Sequence, residues 1–404
     1  MAATLISSWF LRSLALQLTA LMPVHALRPM VSYRALELGA SALDLGIVAA
    51  SYALLSLALA IPIGRWVDRI GEQRLLLTGA GTIVTASFLF VVVDNIPTLA
   101  LIQALLGLGQ TTTLIGLQTL TANGGLPEQR DARIGMFAVF ASIGQMVGPA
   151  SAGYLYAVSG DRLDPVFITF GLITLVAAIL SISLMIWPPA IHEASGKPRM
   201  PQGRVLSSIG EVMRQPSVPH AMLASLTVLT TLDLLTAYLP AYGEANNIRV
   251  ETIGLLLSLR AGASVASRLA MMPLLRWLGR RRLLVHSSLV SMLGIGAIIT
   301  TTDPLVLAVL MVAAGFGLGL GQPLSLSWIT DQVPVSMRGT AIGVRLFGNR
   351  FGQMTVPLAV GAVAGVTGIG AIFVTAALML GGSAAAISRA SGYQASDPGP
   401  REGR

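Results

Sequence analysis

Two charged residues stand inside long apolar stretches of this sequence: Asp233 in the stretch 218–242 and Arg260 in the stretch 252–275. A charge in such a segment is costly, so it usually faces a partner or a solute pathway. A short loop joins the end of the first stretch to the start of the second. Asp233 lies about ten residues before this loop and Arg260 about nine residues after it, so at ~1.5 Å per residue the two have a similar depth in the membrane. The sequence therefore predicts an Asp233–Arg260 ion pair. The pair is either structural, or it takes up and releases a proton in response to a solute.

Further basic residues accompany this predicted pair. Arg28 follows His25 near the end of the first apolar stretch, and the sequence leaves open whether Arg28 lies inside the stretch or beyond it. The other embedded polar residues considered are Arg268, Arg345, Asn349 and Arg350. Because the basic residues outnumber Asp233, we expect a net positive interior, which favours an anionic or strongly hydrogen-bonding solute.

Other kinds of chemistry find no support in the sequence. It contains no Cys, and its four His residues are too scattered to place two metal ligands on one helix. It also lacks the Gly-x-x-x-x-Gly-Lys-Ser/Thr pattern that holds nucleotide phosphates, and no nucleophile–base pair is apparent. We therefore expect no metal, no cofactor and no enzymatic activity.

The elements that position these residues are membrane spans. Hydrophobic residues make up 54% of the 404 residues and charged residues only 11%, against about 25% charged in soluble domains. About 20 apolar residues are needed for a helix to cross a bilayer. Twelve stretches satisfy or approach this length: 4–27, 44–63, 75–93, 97–121, 133–158, 165–187, 218–242, 252–275, 283–301, 305–330, 340–363 and 367–388. The sequence predicts an all-α membrane protein with twelve transmembrane helices.

The distribution of basic residues predicts the orientation of these spans. One set of alternate loops carries most of the loop Arg and Lys residues, whereas the other set carries Arg34, Arg162 and Arg249. Basic loops stay in the cytoplasm. Both termini are therefore predicted to be cytoplasmic, and the net charge of +8 is explained by topology rather than by nucleic-acid binding.

The two halves of the sequence repeat one another. Gly107-Leu-Gly-Gln110 recurs as Gly319-Leu-Gly-Gln322, and Gly144-Gln-Met recurs as Gly352-Gln-Met. Parallel repeats of six spans place a solute site at the midplane between the halves. The predicted units are an N-terminal six-helix bundle at 1–190, a cytoplasmic linker at 191–216, a C-terminal six-helix bundle at 217–390 and a disordered cytoplasmic tail at 391–404.

The loop between the second and third stretches carries a recognisable motif, Gly64-x-x-x-Asp68-Arg69-x-Gly71-x-x-Arg74. It resembles the corresponding loop of the Major Facilitator Superfamily of transporters. The resemblance implies a conformational latch, in which Asp68 sits against the positive N-terminal end of the eleventh span in one state. The alternative is an ordinary charged hairpin. In the second half Gly279 takes the position of Asp68, so we expect the latch to be incomplete there.

The fifth span resembles an export-associated signature of the same family. Its residues are Gly135, Gly144, Gly148, Pro149 and Gly153. Small residues at these intervals let helices approach closely, so generic helix packing is the alternative to an exporter motif. The fourth span departs from the family, because Gln103 stands where proton-coupled drug exporters usually have Arg.

The resemblance implies that the first, fourth, seventh and tenth spans line a central cavity. Carried onto this chain, it points to His25, Arg28, Gln103, Gln110, Asp233, Tyr238, Gln322 and Trp328. Arg260, Arg345, Asn349 and Arg350 are assigned to the same solute and proton pathway. Gln110 and Gln322 either face each other across the pseudo-two-fold axis or join neighbouring helices.

The sequence is thus predicted to encode a secondary transporter resembling bacterial twelve-span efflux and sugar-efflux members of the superfamily. We expect a monomer in the inner (plasma) membrane that exports a small solute by alternating access, coupled to protons. The alternatives are proton-coupled uptake of an organic anion or sugar, and a membrane receptor or scaffold without transport. The expected partners are the solute, protons and the lipid bilayer, without nucleic acid.

Overall fold

The computed structural model describes residues 7–125, 129–188, 205–215, 217–334 and 337–389, and these residues form helices joined by turns and loops. The helices are α1 (Ser8–Glu37), α2 (Ala42–Ile70), α3 (Glu72–Leu89), α4 (Ile96–Asn123), α5 (Arg130–Val158), α6 (Asp164–Ile186), α7 (Val205–Arg214), α8 (Val218–Ala245), α9 (Val250–Leu269), α10 (Met271–Gly296), α11 (Pro304–Gln332), α12 (Arg338–Thr367) and α13 (Gly370–Arg389). The 3-10 helix Ala297–Thr300 follows α10. The all-α prediction is confirmed.

The predicted apolar stretches correspond to α1–α6 and α8–α13, and the short helix α7 lies in the predicted linker. Among the described residues, ten helices are long and apolar enough to cross a membrane. The first boundary differs from the prediction, since α1 continues beyond Leu27 to Glu37. Arg28 and Ser32 lower the apolarity of that last part, but the Arg28 side chain is only 12% exposed and Ser32 is buried.

Side-chain caps fix the starts of two long helices. The Asn95 side chain accepts a hydrogen bond from the Thr98 backbone N–H at the start of α4. Asp303 accepts hydrogen bonds from Leu305 and Val306 at the start of α11. Each cap satisfies backbone N–H groups that have no partner inside the helix. Both helices also have a proline in the first turn, and because proline lacks an N–H group, one fewer donor needs a partner.

Two glycine turns mark equivalent points in the two halves. Gly71, between α2 and α3, has φ 85° and ψ 159°, and Gly279, which interrupts α10, has φ 72° and ψ 159°. Residues with a Cβ rarely adopt these angles. Gly279 is thus the counterpart of Gly71, which corrects the alignment that puts Gly279 opposite Asp68. That alignment follows the pairs Arg65-Trp66 and Arg276-Trp277, which lie at different distances from the two turns.

Each half is held together by close helix contacts. In the first half α1 packs on α5 and α6, and α4 packs on α2 and α3; in the second half α11 packs on α9 and α10, and α13 packs on α8 and α10. A Cβ at Gly107 would overlap the Tyr52 carbonyl of α2, and a Cβ at Gly319 would overlap Ser264 of α9. The repeated glycines therefore allow the same close approach of two helices in both halves.

The predicted unit boundaries at residues 190, 216 and 390 stay a prediction. Most of the linker up to residue 204, and the tail 391–404, lie outside the described residues.

The molecule has two chemically different ends. We call the end with the Gly71 turn and Arg280–Arg282 the basic side, and the end with Glu37, Asp161 and Glu244 the acidic side. Between the halves, α2 packs on α12, α5 on α9 and α1 on α8. Among the described residues, α4 of the first half and α11 of the second half do not pack against each other in this way.

Glycines permit the closest contacts between the halves, and these lie toward the acidic side. A Cβ on Gly46 would come within 2.5 Å of the Pro357 carbonyl oxygen, and one on Gly361 within 2.8 Å of the Ala42 carbonyl oxygen. A Cβ on Gly153 would lie 2.8 Å from the Cα of Glu251. No larger side chain fits at these positions without movement, so the halves are in close contact at these points toward the acidic side.

Candidate functional site

An ion pair joins the two halves at the centre of the molecule. An Arg28 Nη2 proton on α1 is donated to Asp233 Oδ1 on α8, with a nitrogen–oxygen distance of 2.6 Å. The two side chains are 12% and 8% exposed, so the pair is shielded from solvent. This answers the open question about Arg28, which lies inside the first span.

The predicted Asp233–Arg260 pair is wrong. Arg260 lies on α9, which packs on α5 and α11 much more extensively than on α8. The Arg260 backbone lies so close to Gly315 of α11 that a Cβ there would overlap it. Arg260 remains within electrostatic range of Asp233, but its Nε has no hydrogen-bond partner among the described residues.

The second carboxylate oxygen of Asp233 is bound within its own half. Gln353 on α12 donates from Nε2 to Asp233 Oδ2. Gln353 Oε1 accepts a hydrogen bond from Arg350 at 3.2 Å, and Arg350 Nη2 lies 3.4 Å from Thr111 Oγ1 on α4 of the other half. The halves are thus joined a second time through polar side chains.

Arg28 is also held by an aromatic ring. Its guanidinium carbon lies 4.1 Å from the centroid of the Tyr52 ring on α2, which is cation–π geometry. The Tyr52 hydroxyl donates to Gln110 Oε1 on α4. Arg28 therefore has a carboxylate on one partner helix and a ring face on the other, as a charge removed from water requires.

We call the residues Arg28, Tyr52, Gln110, Thr111, Asp233, Arg350 and Gln353 the polar seam. Sequence reasoning missed Tyr52, Thr111 and Gln353. The sequence repeat could have indicated Gln353, since it follows Gly352 in the matched Gly-Gln-Met.

Two other predicted pathway residues lie beside Arg28. Gln103 is 3% exposed and, with Arg28 and Thr236, lines a cavity of about 10 Å³, close to the least volume that holds one water. His25 lies within electrostatic range of both Arg28 and Arg260.

A separate polar cluster lies within the second half. Arg345 Nη2 donates to Gln322 Oε1 at 2.5 Å, and Gln322 Nε2 donates to the Ser225 carbonyl at 2.7 Å. Ser225 Oγ donates to Asn349 Oδ1 at 3.0 Å. Gln322 thus joins α11 to α8, and Gln110 joins α4 to α2, so each glutamine links neighbouring helices of its own half.

The two remaining predicted cavity residues, Trp328 and Tyr238, are packed between helices. Trp328 is 1% exposed inside an apolar cluster with Leu324 and Ile329, which places it in the core rather than on a cavity wall. The Tyr238 hydroxyl lies 3.2 Å from the carbonyl oxygens of Ala42 and Pro357. Tyr238 therefore belongs to the closed contact between α2, α8 and α12.

The glycines of α5 pack against both halves. Gly144 and Gly148 lie against α1 near Met22, while Gly153 lies against α9. The Pro149 carbonyl meets Gly254 of α9. A Cβ at Gly135, nearer the basic side, would have no neighbour within 4 Å. The spacing thus produces close packing at all of these positions except Gly135.

The predicted latch falls partly outside the described residues. The side chains at Gly64 and Asp68 are not described, whereas Arg69 and Arg74 are exposed and Gly71 makes the turn. The contact of Asp68 with the start of α12 stays a prediction.

Two similar helical halves joined by a buried polar seam are typical of membrane transporters that work by alternating access. Residues 13–249 and 221–402 match the family described as the Major Facilitator Superfamily. The chain belongs to this superfamily of transporters, and the predictions of a membrane transporter rather than an enzyme are confirmed.

Curated relatives are similar over parts of their length. The chain is 25% identical to the quinolone resistance protein NorA of Staphylococcus aureus, over 50% of this chain and 52% of that protein. It is 29% identical to multidrug resistance protein 1 of Bacillus subtilis, over 36% and 37%. It is 26% identical to the human vesicular acetylcholine transporter, over 48% and 35%. The matched regions thus span about a third to a half of these relatives.

Solved structures share the fold. The nucleoside transporter NupG superposes with a TM-score of 0.76 at 15% identity, over 95% of this chain and 98% of that one. A bacterial homologue of the human lysosomal transporter Spinster, in an inward-facing and unoccupied conformation, gives a TM-score of 0.75 at 13% identity, over 94% and 95%.

Proposed function

We propose that this transporter exports a small polar solute across the cytoplasmic membrane in exchange for protons, with Asp233 as the proton-binding group. The observation that carries the proposal is the buried Arg28–Asp233 pair, which joins the two halves directly. The spacing of small residues in α5 and the similarity to proteins named for quinolone and multidrug resistance support the direction.

In this proposal the basic side faces the cytoplasm and both termini are cytoplasmic. The loops on that side carry most of the loop Arg residues, in agreement with the positive-inside rule. The protein then lies in the inner membrane as a monomer. Because the halves are in close contact toward the acidic side, this proposal assigns the structure to an inward-facing state.

Protonation of Asp233 would change the contact between the halves. The ionised carboxylate attracts Arg28 and holds α1 against α8. A neutral carboxyl group loses that attraction, which favours separation of the halves on the acidic side. Proton uptake at this one group would thus be converted into a movement of whole helices.

Exchange requires that the solute and the proton compete for the same group. A solute that donates hydrogen bonds to the Asp233 carboxylate meets this requirement, because it replaces Arg28 and cannot bind a protonated carboxyl group in the same way. Antiport therefore favours a polar, hydrogen-bond-donating solute.

A second candidate function is proton-coupled uptake of an organic anion. It is favoured by the excess of guanidinium groups, since Arg28, Arg260 and Arg350 all lie within electrostatic range of the seam residues Asp233 or Tyr52. An anion would bind Arg28 in place of Asp233, and protonation of Asp233 would assist it. Solute and proton would then travel together.

The variant Asp233→Asn separates the two functions. Solute flux is measured in reconstituted vesicles with an imposed pH gradient of either sign, using a panel of polar solutes, organic anions and drugs. Antiport predicts that the variant loses solute binding and pH-driven flux, whereas uptake predicts retained or tighter binding of an anion without dependence on pH. Asp94→Asn, which removes an exposed charge outside the seam, is the matched control. Full pH-driven flux in Asp233→Asn would remove Asp233 from either mechanism.

A further inference from the structure

A cavity of about 470 Å³ lies on the acidic side, outside the polar seam. Its walls come from α1 and α5 of the first half and from α8 and α9 of the second half. Two tyrosines, Tyr33 and Tyr156, line it. Four carboxylates also line it, those of Glu37, Asp161, Glu244 and Glu251. Its volume lies within the range of ligand sites in proteins.

Tyr33 is a buried polar side chain without a partner. It is 7% exposed, and among the described residues its hydroxyl forms no hydrogen bond. A buried hydroxyl without a hydrogen bond is unfavourable, and native proteins rarely leave one. Tyr33 lines the cavity, so a bound molecule that reaches this covered hydroxyl would satisfy it.

The aromatic rings offer a surface for a cation. Tyr33 and Tyr156 stack with their centroids 6.4 Å apart and their planes 17° apart. Tyr33 is buried, whereas Tyr156 is only partly buried and lines the cavity. The face of a tyrosine ring attracts an ammonium group placed within about 6 Å of its centroid.

The carboxylates of the cavity are only partly neutralised. Glu37 pairs with Arg34 at 3.0 Å, and Glu251 pairs with Arg249. Among the described residues Asp161 and Glu244 form no ion pair. The cavity therefore has an excess of negative charge at its wall.

The residues that line the cavity fit an organic cation. Within the described part of the chain, no group of three or more His, Cys, Asp or Glu residues is close enough together to hold a metal. Separated carboxylates, a stacked aromatic pair and an unpaired hydroxyl match an organic cation with an apolar body instead.

We propose that this cavity binds an organic ammonium ion and that the bound ion holds the transporter closed on the acidic side. Tyr33 and Tyr156 belong to one half, and Glu244 and Glu251 to the other, so a ligand in contact with both couples the halves. Opening on this side separates α5 from α9 and divides the walls. A ligand that binds the closed state alone shifts the population toward it by mass action.

The inference rests on the alternating-access function, but its first test is binding and does not need transport. The full-length protein in detergent is titrated calorimetrically with benzyltrimethylammonium, and with benzyl alcohol as the neutral probe. We expect binding of the cation and none of the alcohol. Glu244→Gln should weaken binding about tenfold, the equivalent of 1.4 kcal/mol.

Matched variants separate the ring from its hydroxyl. Tyr156→Leu should weaken binding about threefold to tenfold through loss of the cation–π contact, while Tyr156→Phe should retain most of the affinity. Asp94→Asn removes an exposed carboxylate on the same side, outside the cavity, and should leave binding unchanged. Equal binding of both probes, or an unchanged affinity in Glu244→Gln, would overturn the proposed site.

Transport tests the second part of the inference. Benzyltrimethylammonium added on the acidic side of reconstituted vesicles should slow flux without competing with the solute, and Glu244→Gln should relieve the inhibition. Competition with the solute would instead place the cation in the transport pathway and contradict a separate site. Failure of Asp233→Asn to affect coupling would count against the proposed function and leave the binding result unaffected.

Discussion

The halves of this transporter meet in two chemically different places, the polar seam and the acidic-side cavity. In the seam, the Asp233 carboxylate is bound by Arg28 and Gln353, and Arg28 also contacts a ring. In the cavity, Asp161 and Glu244 have no ion-pair partner among the described residues. A charge at the centre of a bundle must be paired, whereas a charge near water can remain available for a ligand.

This difference assigns different roles to the two places. In the proposed mechanism, the seam responds to a change in the charge of one of its own groups, because any such change leaves a partner uncompensated. The proposed ligand site in the cavity responds to a molecule from outside, because Asp161 and Glu244 are exposed and unpaired among the described residues. The following predictions test that contrast.

The largest effect is expected from Arg28→Met. Removal of one partner leaves the Asp233 carboxylate buried and uncompensated, which typically costs about 3–5 kcal/mol. The free energy of unfolding in detergent should fall accordingly, as measured by thermal or denaturant unfolding. In the cavity, Glu244→Gln should change the free energy of unfolding by less than about 0.5 kcal/mol.

A double variant supplies the control for this effect. Arg28→Met combined with Asp233→Leu should be less destabilised than Arg28→Met alone, since no buried charge is left unpaired. Additive losses would contradict an interaction between the two residues.

The next effect concerns closure on the acidic side. A Cβ at Gly254 would overlap the Pro149 carbonyl of α5, so Gly254→Val should force α5 and α9 apart. The chain has no Cys, and spin labels on two introduced Cys residues therefore report a single distance. We expect longer distances across the acidic side.

Gly365→Val is the matched substitution for that measurement, because a Cβ at Gly365 would meet no atom within 4 Å. If both variants give the distance distribution of the wild type, the glycine contacts do not determine closure.

A smaller effect is expected from Tyr52→Phe. The ring over Arg28 is kept, while the hydrogen bond from the hydroxyl to Gln110 is lost. Net hydrogen-bond contributions predict a loss of about 0.5–1.5 kcal/mol in the free energy of unfolding. Tyr52→Leu removes the ring as well and should lower the free energy of unfolding further. Equal stability of the two variants would exclude a contribution from the ring contact.

The smallest effect is expected from Asp68→Asn on the basic side. A carboxylate at a helix N-terminus is worth about 0.3–1 kcal/mol, which corresponds to a two- to fivefold change in rate. Flux in reconstituted vesicles should slow by this factor while membrane insertion, measured by protein recovery in the vesicles, stays intact. Unchanged flux would leave the loop as an ordinary charged hairpin.

Much of the fold was predictable because lipid restricts the choices. Long apolar segments must form helices in a bilayer, and each of the twelve predicted stretches overlaps a long helix. Ten helices among the described residues are long and apolar enough to cross a membrane. The end of α1 was missed because Arg28 and Ser32 are polar by type but buried in the bundle. Hydropathy identifies segments that face lipid. A helix that is surrounded by other helices can contain polar residues, so its hydropathy can be too low to identify it.

The site was less predictable, since spacing along the chain cannot decide which helices become neighbours. Asp233 was identified because a carboxylate inside a span is rare. Its partner was assigned to the next helix in sequence, Arg260 on α9, whereas the fold places α1 beside α8. Tyr52 gave no signal at all, because a tyrosine in an apolar stretch is common.

The central claim is that the Arg28–Asp233 pair holds the acidic side closed. It is tested most directly by distances between spin labels at Val92→Cys and Leu305→Cys, two exposed positions on the acidic side of opposite halves. Asp233→Asn should shift these distances to longer values than those of the wild type, because the variant lacks the charge that pairs with Arg28. An identical distance distribution in both backgrounds would contradict the claim.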